Sequence, residues 1–249
     1  MTCLPIPSRT QRLFVETDLA AGAPYVCTAE QAKYLGAVLR LSPGDPVLLF
    51  NGRDGEWLAE VAERSKRAMT LAVTGQTRQQ QDGPDIAYLF APLKHARLDY
   101  MVQKATEMGV ARLRPIITRY TNAERVNLER MHANAVEAAE QCGILRIPEV
   151  RSPENLAATL AAWDPARRLI FCDESAPIAD PVAALQAVPS GPLAVLIGPE
   201  GGFSEDEREA LIAAPFTVRV ALGPRILRAD TAAVAVLALV GAVLGDWRG

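Results

Sequence analysis

Short apolar runs separated by close turns characterise the first third of the chain. The runs lie at 47–50, 57–61 and 69–73. The turn-rich sequence Asn-Gly-Arg-Asp-Gly joins the first two, and short runs with such turns are typical of paired strands. One helix, 29–40, is predicted between residues 12 and 75, with Thr28 as its N-cap and Pro-Gly-Asp after its end. The pattern predicts a small β-barrel that contains one helix.

The pattern changes after the polar segment 77–84, which ends in Gly-Pro and is the predicted domain boundary. Apolar strands then alternate with helices, the first helix ending at Met108 before Gly109. A second helix, Leu128–Cys142, has Met131, Ala135, Ala138 and Cys142 on one face. Further strands are predicted at 86–91, 113–117, 169–172, 193–198 and 217–222. We therefore expect a barrel domain at 1–78 and an α/β domain at 85–249 whose largely parallel sheet is covered on both faces.

Two glycine-containing segments follow the last two predicted strands. Residues 196–204 read LIGPEGGFS, and residues 221–231 read ALGPRILRADT. Turns of this kind lie at the C-terminal edge of an open α/β sheet, where such folds bind ligands, so two of them predict one pocket. The first segment contains three glycines, Gly198, Gly201 and Gly202, which is more than a plain turn needs. This surplus indicates that another group approaches the backbone closely. A plain tight turn remains the alternative.

The residues after each glycine segment predict how the next helix begins. Ser204 and Glu207 have the spacing of a capping box. In the second segment, Asp230 or Thr231 is positioned to cap the apolar helix 232–244, and a cap is the more frequent role for such an Asp. Arg228 precedes this helix, so it either pairs with Asp230 or faces a ligand.

Other familiar chemistry has little support in the sequence. The dinucleotide fingerprint, the phosphate-binding P-loop and the nucleophile elbow of hydrolases are missing. Two histidines and four widely separated cysteines make a metal site or a disulfide framework unexpected. The longest uncharged apolar stretch, 232–245, is shorter than the roughly 18 to 20 residues of a membrane span. A signal-peptide pattern is also missing. We expect a cytoplasmic protein that needs no metal and no membrane.

Charge is distributed unevenly around a net value of −3. Residues 1–151 carry 19 basic and 17 acidic side chains, a net of +2, and residues 152–249 carry 7 and 12, a net of −5. A polyanion is therefore expected to meet the first part of the chain. Two ordinary solvated surfaces explain the same difference about equally well.

The two glycine segments, Ile197–Ser204 and Leu222–Arg228, resemble the signature segments of the RsmE-type 16S ribosomal RNA uridine-N3 methyltransferases, which belong to the SPOUT class. Three further segments match the family pattern in order. The first, 103–110, reads QKATEMGV. The second, within 139–149, contains AEQCG followed by Ile-Pro-Glu, and the third, within 38–45, contains VLRL followed by Gly-Asp. The resemblance covers almost the whole chain.

The resemblance implies an N-terminal PUA-like barrel that helps to bind RNA and a C-terminal α/β domain tied in a trefoil knot. It implies S-adenosylmethionine as cofactor, held largely by backbone groups, and a homodimer that packs through the knot. The implied substrate is 16S rRNA, as free RNA or in the 30S subunit. The implied cofactor-binding residues are Leu196, Ile197, Gly198, Glu200, Gly201, Gly202, Leu222, Gly223, Ile226 and Leu227.

Arg228 and Asp230 are the candidate catalytic residues. Uracil N3 must lose a proton before methylation, and a fixed cation such as Arg228 can stabilise the negative charge that results. Family members usually carry Glu where this chain has Asp230, and often His where it has Tyr34. The shorter Asp side chain retains a structural role more easily than proton transfer. Candidate contacts to RNA phosphates are Arg9, Arg12, Arg40, Lys94, Arg97 and Lys104.

Three alternative functions remain open at this point. A different SPOUT methyltransferase could modify transfer RNA or another ribosomal nucleotide, because the glycine loops alone do not identify the base. A non-catalytic RNA-binding or ribosome-assembly factor could retain the fold without the chemistry. A nicotinamide-dependent oxidoreductase has the least support, because its glycine fingerprint is missing.

Overall fold

The computed structural model describes residues 10–65, 68–94, 96–121, 125–177 and 180–247. Contacts within the chain divide it into two compact units. The first unit contains the chain up to Asp82 together with Glu140–Arg146, and the second contains Gly83–Ala139 and Ile147–Gly249. The segment Glu140–Arg146 therefore groups with the first unit although it lies within the second half of the chain.

The first unit is built on a five-stranded sheet with the order β1-β3-β4-β5-β2. Its strands are β1 (Gln11–Phe14), β2 (Pro24–Val26), β3 (Pro46–Phe50), β4 (Glu56–Arg64) and β5 (Met69–Arg78). The β1–β3 pair is parallel and the other pairs are antiparallel. Alternate residues such as Val47 and Leu49 enter the core, as do Met69, Leu71 and Val73. This period of two is the reason that the strands could be predicted from the apolar pattern.

The helix of the first unit begins as predicted but ends earlier as an α-helix. Thr28 caps α1 (Ala29–Lys33) in a capping box, and the chain continues as a π-helical turn, Tyr34–Val38. The Leu39 N–H group donates to the Tyr34 carbonyl at 3.0 Å, five residues back. Arg40 then adopts a φ of +59°, a left-handed conformation that cannot continue a helix. The predicted helix 29–40 is thus replaced in its second half by a wider turn.

Arg12 is an interior residue of the first unit. Its side chain is only 10% exposed, and its Nε donates to the 5% exposed Glu56 carboxylate at 2.8 Å. The guanidinium also lies 4.2 Å from the centre of the Phe50 ring and donates to the carbonyls of Glu140 and Ile144. These last bonds account for the grouping of Glu140–Arg146 with the first unit.

The second unit contains a seven-stranded sheet whose main path is β12-β10-β11-β6-β7-β8, with β9 paired to β7. All of its pairs are parallel. The strands are β6 (Ile86–Phe90), β7 (Arg112–Ile117), β8 (Glu149–Val150), β9 (Glu154–Asn155), β10 (Arg168–Cys172), β11 (Leu193–Ile197) and β12 (Thr217–Val220). The helices are α2 (Ala96–Glu107), α3 (Leu128–Cys142), α4 (Leu156–Ala161), α5 (Pro181–Gln186), α6 (Glu205–Ala213) and α7 (Ala229–Val243).

Both faces of this parallel sheet are buried, as predicted. On β6, Tyr88 and Phe90 contribute to a core shared with α2, α3, α5 and α7, whereas Leu89 contributes to a second core with α4 and α6. Alternate residues of β11 divide in the same way. Because the interior of the sheet is apolar on both sides, polar side chains that act on a ligand have to lie at the strand ends.

Helix α3 has the predicted bounds, but one residue of its predicted apolar face is misplaced. Met131, Ala135 and Ala138 are buried, whereas Cys142 is exposed. Cys142 is the last helical residue, where the chain no longer packs on the sheet core. Over the described part of the chain, no helix has the length and apolar character needed to cross a membrane.

The buried Arg12–Glu56 pair yields a stability prediction. Glu56→Ala would leave a buried guanidinium without its carboxylate, so we expect the first unit to lose about 3 kcal/mol of unfolding free energy. Urea unfolding followed by Trp57 fluorescence, with Trp163 and Trp247 replaced by Phe, measures this loss. Asp18→Ala is the matched control, because the Arg53–Asp18 pair has the same 2.8 Å distance but is 55% and 93% exposed. Its loss should stay below about 1 kcal/mol, and equal losses would contradict the interpretation.

Candidate active site

A cavity of about 670 Å³ lies at the carboxyl ends of three neighbouring strands, β12, β10 and β11. Residues of the segments that follow these strands line it, within 173–175 after β10, 198–203 after β11 and 222–229 after β12. Parallel pairing places all three segments at one edge of the sheet, as predicted for the two glycine segments. Its volume lies within the roughly 300 to 1,000 Å³ typical of small-molecule sites.

The glycines of the first loop are required partly by the loop's own packing. A Cβ atom on Gly198 would lie 2.5 Å from the ring of Phe203, which itself packs edge-on against Phe171 at 5.3 Å. Gly202 has a φ of +72°, and its N–H donates to the Pro199 carbonyl at 2.9 Å. At Gly198, the group that approaches the backbone closely is therefore the Phe203 side chain of the same loop.

The predicted capping box at the end of this loop is confirmed. Ser204 accepts from the Glu207 N–H, and the Glu207 carboxylate accepts from the Ser204 N–H at 2.9 Å. The other carboxylate oxygen of Glu207 accepts from the Arg119 N–H at 2.8 Å. Glu207 thus ties the start of α6 to the segment that follows β7.

The predicted cap of the last helix is wrong. Helix α7 begins at Ala229, with Arg228 as an N-cap residue that makes no side-chain capping bond, and Asp230 and Thr231 lie inside the first turn. One Asp230 oxygen accepts from Arg97 Nε at 3.0 Å and the other from the Thr231 N–H at 2.8 Å. The bond from Arg97, opposed by burial and supported by the Thr231 N–H, lowers the pKa of Asp230. Arg97 is 133 residues from Asp230 along the chain and reaches it only in the folded structure. The sequence around Asp230 therefore could not reveal this partner.

Arg97 connects the two loops, since it also pairs with Glu200 of the first glycine loop. Arg228 makes no close ion pair with Asp230, although its positive charge also contributes to lowering the pKa of Asp230. Arg228 is exposed and lines the cavity, and the described residues offer it no ion pair. The Arg228 guanidinium is therefore available to a ligand.

A third loop of the site was missed by sequence reasoning. Asp173 follows β10, lines the cavity and has a side chain that is only 4% exposed. It accepts from Arg219 Nε at 2.8 Å, from Arg208 Nη2 at 3.2 Å and from the Ser175 N–H at 3.0 Å. Burial raises the pKa of Asp173, but these bonds and charges outweigh it, so the pKa lies below its ordinary value. An acidic residue directly after the apolar run 169–172 was the available signal.

Nine of the ten candidate cofactor residues line the cavity. They are Ile197, Gly198, Glu200, Gly201, Gly202, Leu222, Gly223, Ile226 and Leu227. The tenth, Leu196, does not line it. Leu196 points into the core under α4 and α6, because alternate residues of a strand face opposite sides of the sheet.

Comparisons with known proteins identify the family. Residues 80–241, about two thirds of the chain, match the family described as RNA methyltransferase domain, and residues 28–74 match the RNA methyltransferase PUA domain. The chain belongs to the RNA methyltransferase family. The expected α/β fold with an N-terminal PUA domain and the expected enzyme class are confirmed.

Individual relatives align with the methyltransferase over nearly its full length. The ribosomal RNA small subunit methyltransferase E of Rickettsia conorii is 28% identical over 231 residues, 92% of this chain and 94% of the relative. That of Bacillus subtilis is 26% identical, covering 92% and 95%. A candidate methyltransferase from Legionella pneumophila, in complex with the bound cofactor SAM, has a TM-score of 0.82 at 28% identity and covers 96% of this chain and 99% of its own.

The six candidate RNA contacts of this methyltransferase lie in different environments. Arg40 and Lys94 are exposed. Lys104 pairs with Glu107. Arg97 pairs with Glu200 and Asp230, and Arg12 is buried against Glu56, so these two guanidiniums are not free surface cations as the sequence suggested. Arg9 lies outside the described residues.

Packing around Gly198 generates a testable prediction. Gly198→Ala should destabilise the methyltransferase domain by about 1 to 3 kcal/mol, because the new methyl group meets the Phe203 ring. Adding Phe203→Leu removes that ring, so the double variant should lose less than the sum of the two single losses. Thermal unfolding followed by circular dichroism measures all three. Gly75→Ala is the control, since its Cβ would meet nothing within 4 Å, and strictly additive losses would refute the steric explanation.

Asp173 predicts a pH-dependent contribution to stability. Asp173→Asn should lower the free energy of unfolding at pH 7 by about 2 kcal/mol, the value of hydrogen bonds to a charged group. Because the folded-state pKa is depressed, this contribution is complete above the unfolded value of about 3.9 and is lost as pH falls through the folded-state pKa. Urea titrations at successively lower pH should show the two proteins converging. Glu174→Gln, its exposed neighbour, should match wild type within about 0.5 kcal/mol.

Proposed function

We propose that this protein transfers a methyl group from S-adenosylmethionine to N3 of a uridine in 16S ribosomal RNA, with the assembled 30S subunit as substrate. The observation that carries the proposal is the convergence of both glycine loops on one cavity in a chain of the RNA methyltransferase family. Relatives named for methylation of small-subunit ribosomal RNA align over 92% or more of the chain.

The groups that line the cavity suit S-adenosylmethionine. Exposed Arg225 can pair with its carboxylate, and Glu200 and Glu174 can face its ammonium and sulfonium charges. Apolar Ile197, Leu222 and Leu227 offer contacts to the adenine ring, and backbone N–H and C=O groups of the two glycine loops can bind its polar edges. When bound, S-adenosylmethionine supplies an electrophilic methyl group on a sulfonium sulfur.

The chain's own contribution to the chemistry centres on Arg228. Uracil N3 becomes nucleophilic when its proton is lost to water, which places negative charge on O2 and O4. Arg228, held at the start of α7 on the wall of the cavity, stabilises that charge. Arg97 pairs with Asp230 at the start of α7 and with Glu200 in the first glycine loop. The role of Asp230 in this proposal is to hold α7 against that loop, which positions Arg228. Holding the uridine in line with the methyl group supplies the remaining acceleration.

The first domain, 1–78, binds RNA in this proposal, and the domain 85–249 carries out the transfer. Exposed Arg40 and Lys94 contact phosphates. The same proposal includes the trefoil knot, a homodimer formed through the knotted domain and a cytoplasmic location, all of which the family resemblance implies. The target uridine has to be unpaired or splayed from its stack, because N3 lies on the base-pairing edge.

The proposal is tested by methyl transfer from labelled S-adenosylmethionine to 30S subunits prepared without the modification, with free 16S RNA measured in parallel. We expect label on the 30S subunits, recovered as N3-methyluridine after nucleoside analysis. Label in another nucleoside would overturn the uridine-N3 assignment and retain the methyltransferase. Failure to bind the cofactor at all would favour the assembly-factor alternative.

Arg228→Ala separates a role in chemistry from a role in binding. We expect kcat to fall about 10²-fold or more while the dissociation constant of S-adenosylmethionine, measured by calorimetry, changes less than about 5-fold. Arg225→Ala is the comparison, because Arg225 is an equally exposed cation on the same loop. Unchanged turnover in Arg228→Ala would remove this residue from the mechanism.

A further inference from the structure

Tyr120 is an exposed aromatic residue beside the first glycine loop, and the mechanism above does not use it. It follows β7 by three residues, and its side chain is 47% exposed. The Tyr120 Cβ lies 3.3 Å, and its Cγ 3.8 Å, from the position that a Cβ on Gly201 would occupy. The Tyr120 side chain therefore begins against the loop that lines the cavity, and a Cβ atom at position 201 would make this contact tight.

The segment that carries Tyr120 is held in place by hydrogen bonds at both ends. The Thr118 N–H donates to the Thr121 hydroxyl at 2.9 Å, and the Thr121 N–H donates back to the Thr118 carbonyl at 3.2 Å. Between them, the Arg119 N–H donates to Glu207, which also caps α6. The turn is thus tied to the end of the glycine loop, and an aromatic ring on it is presented in a defined position.

Packing within the described chain leaves Tyr120 about half exposed, as it does Tyr100 at 46%. The buried tyrosines of the described chain behave differently, since Tyr25 and Tyr88 each lie in a core and donate their hydroxyl protons, to Gln31 and Met101. Tyr120 belongs to none of the three cores. The adjacent Arg119 side chain is exposed and has no ion pair within the described ranges. An aromatic face beside a free cation is the combination that binds single-stranded nucleic acid, by stacking and by phosphate contact.

We propose that Tyr120 is a substrate-positioning residue on which a nucleobase of the RNA strand stacks next to the methyl-transfer site, with Arg119 contacting the neighbouring phosphate. This inference rests on the proposed function, because it takes RNA as the substrate. A base taken out of its stack loses the contacts of its neighbours, and an aromatic platform compensates for that loss. Because every base has a π face, the platform adds affinity and position and leaves the choice of sequence to other groups.

The test compares three substitutions at the same position. Tyr120→Phe keeps the ring, Tyr120→Leu keeps apolar bulk without a π face, and Tyr120→Ala removes both. For 30S subunits we expect KM and the binding constant from filter binding to weaken roughly 5- to 150-fold in Leu and Ala, the range of one base–aromatic stack, and to stay near wild type in Phe. The dissociation constant of S-adenosylmethionine and kcat should change little in all three. Ile212→Ala, an exposed apolar residue at the far end of α6, is the control for loss of surface bulk.

Three results would overturn the inference. Tyr120→Leu behaving like Tyr120→Phe would indicate a generic apolar contact. Weakened binding of S-adenosylmethionine would indicate that Tyr120 only supports the glycine loop. A changed oligomeric state in light scattering would assign the ring to a second copy of the chain. Arg119→Gln should lower the dependence of log binding constant on log salt by about one, and an unchanged slope would contradict the phosphate contact. Filter binding needs no turnover, so it tests Tyr120 even if wild type fails to methylate and the proposed function falls.

Discussion

Parallel pairing of β10 with both β11 and β12 is the constraint on which the site depends. In the observed register, Ile170 of β10 lies opposite Val195 of β11 and Val218 of β12. Because the three strands run in the same direction, the loops that follow them lie at the same edge of the sheet. Residues about 25 to 50 positions apart along the chain therefore line one cavity. The central strand β11 is apolar and buried throughout, whereas Arg219 of the edge strand β12 pairs with Asp173. Function is confined to the loops, and the sheet determines where the loops meet.

Ion pairs between distant segments then give this edge its detailed shape. Arg97 pairs with Glu200 and Asp230, which are 103 and 133 residues away, and Asp173 joins Arg208 and Arg219. Of the charged residues that line the cavity, Asp173, Glu200 and Arg208 are in ion pairs. Among the described residues Arg228 has no ion pair, and the proposed stabilisation of negative charge rests on this availability. Which cation is available to a ligand depends as much on the partners that its neighbours already have as on its own position.

Much of the fold could be predicted because its signals are local. The strands and α3 have clear apolar periodicity, and the Ser204 capping box depends on residues only three positions apart. Predictions were wrong where a distant partner or the register of a strand decides the outcome. Asp230 has the sequence context of a cap, yet Arg97 binds it inside the first turn, and Leu196 belongs to a glycine segment but faces the opposite core. Arg12 has the charge of a phosphate contact and is instead buried against Glu56.

By itself the sequence determined the parallel sheet, the family resemblance and the two glycine loops, and it predicted two domains at 1–78 and 85–249. Each of these depends on residue type and spacing along a few turns of chain. Only the tertiary structure decided that the loop after β10 completes the cavity, that Arg97 and not Arg228 pairs with Asp230, and that Tyr120 lies against Gly201. Those contacts join segments separated by tens of residues or more. Their formation is governed by chain direction and packing in three dimensions, which residue type and spacing along the chain do not encode locally.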